Sequence, residues 1–142
     1  MSYNADNIFA KILRGEIPAY KVYEDDHVLA FMDVMPQSDG HALVIPKIEA
    51  TNLFEIDADA LGKLIVVTQT IAKAAKQAFN ADGVTVMQFN GSAAGQTVFH
   101  LHFHVIPRYE NKPLRSHSRE MADGELLATQ AEQLKGALNT LR

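Results

Sequence analysis

The chain predicts an α+β fold on an antiparallel sheet of about five strands, and three observations lead there. Apolar residues alternate with period two in several short segments joined by tight polar turns, one long segment near the middle repeats with helical period, and an amphipathic stretch stands at each end. The resulting order is α-β-β-β-α-β-β-α: a short N-terminal helix, a long central helix and a C-terminal helix around the strands. No repeat, low-complexity tract or linker interrupts residues 1–142, so the chain reads as a single domain.

Asp6 can cap the first helix, in which Ile8, Phe9 and Ile12 share a face, with Gly15 as its stop and Pro18 beyond. From Tyr20 to Asp33 the residues become β-rich around Glu24-Asp25-Asp26, which predicts two strands and a turn. On the second strand Leu29, Phe31 and Asp33 point the same way. The turn Pro36-Gln37-Ser38-Asp39-Gly40 leads into a third strand, His41 to Pro46. Asp57 opens the long helix, marked by Leu61, Leu64, Thr68, Ile71, Ala75 and Ala78. Val84 to Gln88 and Val98 to Ile106 are the fourth and fifth strands, separated by the small-residue loop Asn90-Gly91-Ser92-Ala93-Ala94-Gly95. Beyond Pro107 the chain is polar and basic to Arg119, and Leu127, Ala131, Leu134, Leu138 and Leu141 then mark a helix that should pack on its own domain or on a second copy.

Composition removes several functions. Lys and Arg number 13 against 17 Asp and Glu, a net charge of −4, which argues against a nucleic-acid binder that neutralises many phosphates. With no cysteine there is no disulfide framework, thiolate zinc site or cysteine nucleophile. The polar N-terminus lacks the pattern of a secretory signal, and the apolar stretches fall short of the roughly 20 residues that cross a bilayer, so the expectation is a cytoplasmic protein with no membrane partner.

Three of the six histidines stand in His100-Leu101-His102-Phe103-His104. On a strand these three would project from one side, with Leu101, Phe103 and Val105 on the other. A histidine row suits zinc, and it equally suits nucleophilic and proton-transfer chemistry near neutral pH. The small-residue loop favours the second use, because such backbone can turn N–H groups toward an anion and Gln96 and Thr97 add side-chain donors. In a site of this kind one histidine attacks phosphorus while its neighbours stabilise the charge on the non-bridging oxygens. No carboxylate lies in the loop or strand to complete a metal site. His27 and His117 read as surface residues, and Arg108, Lys112, Arg115 and Arg119 as a solvated basic run that could also screen the phosphates of an anionic ligand.

His100-x-His102-x-His104 resembles the signature of the histidine triad (HIT) family of nucleotide hydrolases and transferases. The segment from Asn7-Ile8-Phe9-Ala10 to Ile17-Pro18 resembles the start of the branch that holds the histidine triad nucleotide-binding proteins. Leu29 to Gln37 and His41 to Lys47 resemble its centre, so the similarity covers about residues 7–108. Ile106-Pro107-Arg108 is closer to the dinucleoside polyphosphate hydrolases and bacterial HIT proteins.

The resemblance implies the HIT fold and a nucleotide hydrolase or nucleotidyl transferase that cleaves phosphoramidates or dinucleoside polyphosphates at the α-phosphate of an adenine-type nucleotide. It makes His102 the nucleophile that forms a nucleotidyl-histidine, with His104 and His41 around the phosphate and His100 fixing His102. Gln96 and Thr97 would hold phosphate or leaving group, Asp33 the ribose hydroxyls, and Ile8, Phe9, Ile12, Phe31 and Val34 the base. Phe89 departs from the polar residue that relatives often carry before such an Asn-Gly step: either Asn90 or Gln88 takes over that contact, or Phe89 is core. A homodimer with joined sheets is implied, with no obligatory cofactor or metal, although a polyphosphate substrate could bring magnesium. Two rivals from other classes are a nucleotide-binding regulatory module with little turnover, against which His102 beside Gln96 and Thr97 speaks, and a metal-dependent hydrolase using the histidine row, against which the missing carboxylate speaks.

Overall fold

The computed structural model describes residues 3–115 and 121–141. Five strands form one antiparallel sheet in the order β1-β2-β3-β5-β4: β1 Lys21–Glu24, β2 Val28–Met32, β3 Ala42–Pro46, β4 Gly83–Met87 and β5 Phe103–Arg108. Helix α1, Ile8–Leu13, covers one face, while α2, Ala58–Ala78, and α3, Gly124–Leu141, cover the other. The predicted α+β class and element order are those observed.

Alternation divides the core between the faces. Val28, Ala30, Met32, Ala42, Val44 and Val105 meet Leu64 and Ile71 of α2 and Leu134 and Leu138 of α3. The stripe on the last helix thus packs within its own fold. On the opposite face Leu29, Phe31, Leu43 and Ile45 meet Phe9 and Ile12 of α1. Burying side chains of this size contributes roughly 1.5–3 kcal/mol each, which fixes α1 as a wall over the sheet. Pairing aligns Phe31 with Leu43 and Leu43 with His104, so one histidine joins this second face.

Several strand ends move by one or two residues from expectation, and two boundary differences bear on the site. The cap of α1 is Asn7 rather than Asp6: the Asn7 side chain accepts from the Ala10 N–H at 2.9 Å, the geometry of an N-cap. The helix ends in a Schellman turn, Gly15 N–H to Ile12 O and Glu16 N–H to Lys11 O, with Gly15 at φ 78. The second difference matters more. The fifth strand begins at Phe103, not Val98, because β3 pairs with β5 only from Ala42 to Val44, opposite Val105 to Phe103. Upstream the chain leaves the sheet, and the Leu101 N–H donates to Ala50 O at 2.8 Å. His104 alone of the three histidines lies on a strand, so they do not form a row along one strand face.

Candidate functional site

Hydrogen-bond partners assign a tautomer to each ring. His102 Nδ1 lies 2.7 Å from the carbonyl of His100, which can only accept, so Nδ1 carries the proton and the lone pair is on Nε2. The part of His100 that fixes His102 is therefore its main chain. The His100 ring is fully buried: Nε2–H donates to Pro46 O at 2.8 Å, and Nδ1 accepts from the Tyr3 hydroxyl at 2.6 Å. Burial holds His100 below the usual histidine range, opposed by the Pro46 carbonyl, and the ring is neutral.

A second chain of bonds starts on the main chain. The Gln37 N–H donates to His41 Nδ1 at 3.0 Å, which places the His41 proton on Nε2. That nitrogen is 2.9 Å from His104 Nδ1 and 3.4 Å from Asp33 Oδ2. His104 Nδ1 accepts, so His104 carries its proton on Nε2. Asp33, almost buried, also accepts the Met35 N–H through Oδ1 at 2.8 Å. The His102 and His104 rings are 5.0 Å apart, which brings a lone pair and an N–H donor into one small volume.

The turn before His41 is built for this. Gly40 has φ 85, and a Cβ there would lie 2.5 Å from the Phe79 ring, so only glycine lets the chain enter β3 at this point. Gln130 of α3 accepts the Gly40 N–H at 3.2 Å, tying the C-terminal helix to the same turn.

A cavity of about 480 Å³ opens over His102, His104 and Asp33. Ile8, Phe9, Ile12, Phe31, Val34 and Thr97 line it with them. Phe9 stands edge-on to Phe31 at 5.5 Å and to His102 at 4.9 Å, a flat apolar slot next to the imidazoles. His41 lies behind this surface, fully buried.

Asn90 and Gln96 are not brought to the cavity. Asn90 accepts the Leu53 N–H at 2.8 Å and pairs its amide with Gln88. Gln96 accepts the Gly91 N–H at 2.8 Å and donates to Thr51 O and Val98 O, so it holds the loop together. The N–H groups of Ala94, Gly95 and Gln96 also close on that loop, around the 3₁₀ turn Ser92–Ala94, rather than pointing at a common centre. Phe89 packs beside His104, ring centres 5.7 Å apart. His27 is exposed, and His117 and Arg119 lie outside the described residues.

Asp33, His41 and His104 offer donor atoms within 4.8 Å of one another and are the cluster among the described residues that could hold a metal. Asp33 thus supplies the carboxylate that the loop and the fifth strand lack, 3.4 Å from His41 Nε2. In the hydrogen-bond network His41 Nδ1 accepts an N–H and the His41 proton lies on Nε2, so an ion bound there would have to displace that proton. Tyr3, Gln37 and Gln130 are the site-supporting residues that sequence reasoning missed; two act by contacts 97 and 90 residues away in the chain, and Gln37 through its main chain, so no local pattern marks them.

Residues 14–111 match the family described as HIT domain. A Hit-like protein from Bartonella henselae, described as involved in cell-cycle regulation and solved with an unknown ligand, is 50% identical, with a TM-score of 0.92 over 96% of this chain and 99% of that one. A hypothetical histidine triad nucleotide-binding protein from Sulfolobus tokodaii is 34% identical, with a TM-score of 0.86 over 94% and 92%. Adenylylsulfatase HINT3 of Arabidopsis thaliana is 38% identical over 122 residues, 82% of this chain and 62% of that protein.

Proposed function

The chain belongs to the HIT family, and on that premise we propose that it is a nucleotide hydrolase or nucleotidyl transferase working at the α-phosphate of adenine-type nucleotides. Phosphoramidates and dinucleoside polyphosphates are its substrate classes, and the reaction passes through a nucleotidyl-histidine on His102. The observation that carries this reading is the His102 tautomer: with Nδ1–H held by the His100 carbonyl, Nε2 offers a lone pair next to a cavity that also holds Asp33 and two phenylalanines.

In the first step the Nε2 lone pair attacks the α-phosphorus, the bond to the leaving group breaks, and that group departs with the bond's electron pair, taking up a proton from solvent as it leaves. His104 Nε2–H donates to a non-bridging oxygen, and the Gln37 N–H and His41 behind it keep that proton in place. Water then attacks phosphorus, the Nε2–P bond breaks with its electron pair returning to His102, and the nucleoside monophosphate is released, the water's second proton going to solvent and balancing the one taken up by the leaving group. Asp33 takes the ribose hydroxyls, and Ile8, Phe9, Ile12, Phe31 and Val34 enclose the base. Thr97 at the rim meets the phosphate or leaving group, while Gln96 supports that role by shaping the loop. No step uses a resident metal; magnesium would arrive with a polyphosphate.

The reading covers the whole chain as a single unit, acting in the cytoplasm as a homodimer. Supporting the dimer, β4 is an edge strand whose Val86 is 45% exposed, with Ile65 of α2 also exposed, and an unpaired strand edge is extended most simply by a second copy.

The test is His102→Ala. Turnover of adenosine phosphoramidate should fall by at least about a thousandfold while AMP affinity stays within a few fold, and wild-type activity should survive exhaustive chelation. Near-normal turnover by the variant overturns the covalent mechanism; activity lost to EDTA and restored by zinc alone overturns the metal-free one.

A further inference from the structure

His102 is aimed by a carbonyl that no regular strand holds in place. Residues 98–102 precede β5, so the His100 carbonyl is held by isolated contacts: the N–H of the same peptide, on Leu101, donates to Ala50 O at 2.8 Å, and the rest of the hold comes from what grips the His100 side chain. The grip is unusual for a histidine in a loop: the ring is fully buried and is bonded at both nitrogens, to Pro46 O on one side and to Tyr3 on the other. Pro46 ends β3 and is part of the sheet, whereas Tyr3 comes from the far N-terminus.

Tyr3 is itself held. Its oxygen accepts from Asn7 Nδ2 at 3.0 Å, and the same Asn7 side chain caps α1. Phe9 on α1 then stands against both histidines, 6.5 Å from the His100 ring and 4.9 Å from that of His102. One hydroxyl therefore joins the nucleophile's anchor to the start of the helix that walls the cavity. Burial pushes the Tyr3 hydroxyl above the usual tyrosine range, so it remains a donor at neutral pH, while buried His100 remains an acceptor at Nδ1.

We propose that Tyr3 is a positioning residue for His102, acting through the His100 imidazole: its O–H on Nδ1 and the Pro46 carbonyl on Nε2 lock that ring and hold the carbonyl that directs the His102 lone pair. Without the hydroxyl, His100 Nδ1 becomes a buried acceptor facing a phenyl edge. The ring can then move its proton to Nδ1 or turn, and either change releases the Pro46 bond and shifts the His100 main chain. Displacement of an attacking atom by about 1 Å can cost 100-fold in rate. AMP binding, which draws on the α1 face and Asp33, does not need the His102 lone pair.

This assignment rests on the covalent role given to His102 above, and the experiment separates the two. Tyr3→Phe, His100→Gln and the double variant are compared with wild type for kcat with adenosine phosphoramidate, for AMP affinity, and for ring tautomers by nitrogen-15 NMR of the histidines. Tyr3→Phe should lower kcat roughly 10- to 100-fold with AMP affinity changed less than about threefold. It should also convert His100 from a single Nε2–H tautomer to a mixture. In the His100→Gln background the same substitution should have no further effect on kcat, because the two side chains act as one unit. Wild-type kcat and an unaltered His100 spectrum in Tyr3→Phe overturn the proposal while leaving the covalent mechanism intact. Additive losses in the double variant overturn action through His100. Should His102→Ala stay active, the covalent reading fails, and the tautomer spectrum still decides whether Tyr3 sets the His100 ring.

Discussion

Asp33→Asn examines the ribose contact with little change of shape. The carboxylate offers about four acceptor positions; the Met35 N–H takes one on Oδ1, and His41 Nε2 flanks Oδ2 at 3.4 Å. Two ribose hydroxyls donating to this carboxylate would make charge-assisted bonds worth about 1.5–3 kcal/mol each. Asparagine keeps an oxygen for Met35 but sets an N–H₂ donor against a hydroxyl, so at least one such bond is lost. At 1.4 kcal/mol per decade, AMP affinity should fall roughly 10- to 100-fold. The assay is calorimetric titration of wild type and Asp33→Asn with AMP and with its 2′-deoxy and 3′-deoxy analogues. The wild type should lose a similar factor on removal of either hydroxyl, and the variant should lose much less, since the partner has already gone. Equal losses for all three ligands on substitution would mean that Asp33 acts only through the Met35 turn and His41, and would refute the ribose assignment.

Burial lowers the His100 pKa, so the unfolded chain takes up this proton more readily than the folded one; the contribution to stability is full above about pH 6.5 and is lost as pH falls below it. The thermal midpoint should drop between pH 7.5 and 5.5, and His100→Gln should flatten that slope by at most about 1.4 kcal/mol per pH unit; an identical slope in the variant refutes the assignment. Arg108, bonded to Thr85 Oγ1, and Arg115, paired with Asp39, do not line the cavity over His102, so any action on a polyanionic leaving group is through longer-range charge. Arg108→Ala or Arg115→Ala should therefore reduce kcat/KM for a diadenosine polyphosphate but not for a phosphoramidate, and salt should erase the difference; parallel losses, or none, mark these residues as ordinary surface.

The elements legible in the sequence are those whose signal is local. Asp57 accepts the Ala60 N–H at 2.8 Å as the cap of α2, and the apolar steps from Leu64 to Ala75 follow one helical face. The turn at Glu24-Asp25-Asp26 forms because Asp25 Oδ1 accepts the N–H groups of His27 and Val28, a bond pattern that aspartate favours near its own backbone. Asp6 and Asn7 are both good caps, and only the folded geometry decides between them. Family resemblance added the cavity wall: Ile8, Phe9, Ile12, Phe31 and Val34 do come together, although periodicity alone gives each an equal claim to be plain core.

The histidine segment shows why the rest was hidden. Alternation from Val98 to Ile106 is a property of extended chain, and extended chain needs no ladder; β3 runs on to Pro46 past its last pair with β5, Val44 with Phe103, but upstream of that pair the chain leaves the sheet and the Leu101 N–H bonds to Ala50 O instead. A row on one face would have given three equivalent imidazoles. The structure instead separates them: His100 turns inward to Tyr3 and Pro46, His102 borders the cavity, and His104 is set by β5 with His41 behind it. The roles we assign them rest on proton positions, and those are imposed chiefly by main-chain groups, the His100 carbonyl on His102 and the Gln37 N–H on His41. Any residue but proline supplies that N–H at position 37, and any residue supplies the carbonyl at 100. The side chains to which we assign the chemistry are therefore readable in the sequence, while the groups that set where each imidazole carries its proton belong to the fold.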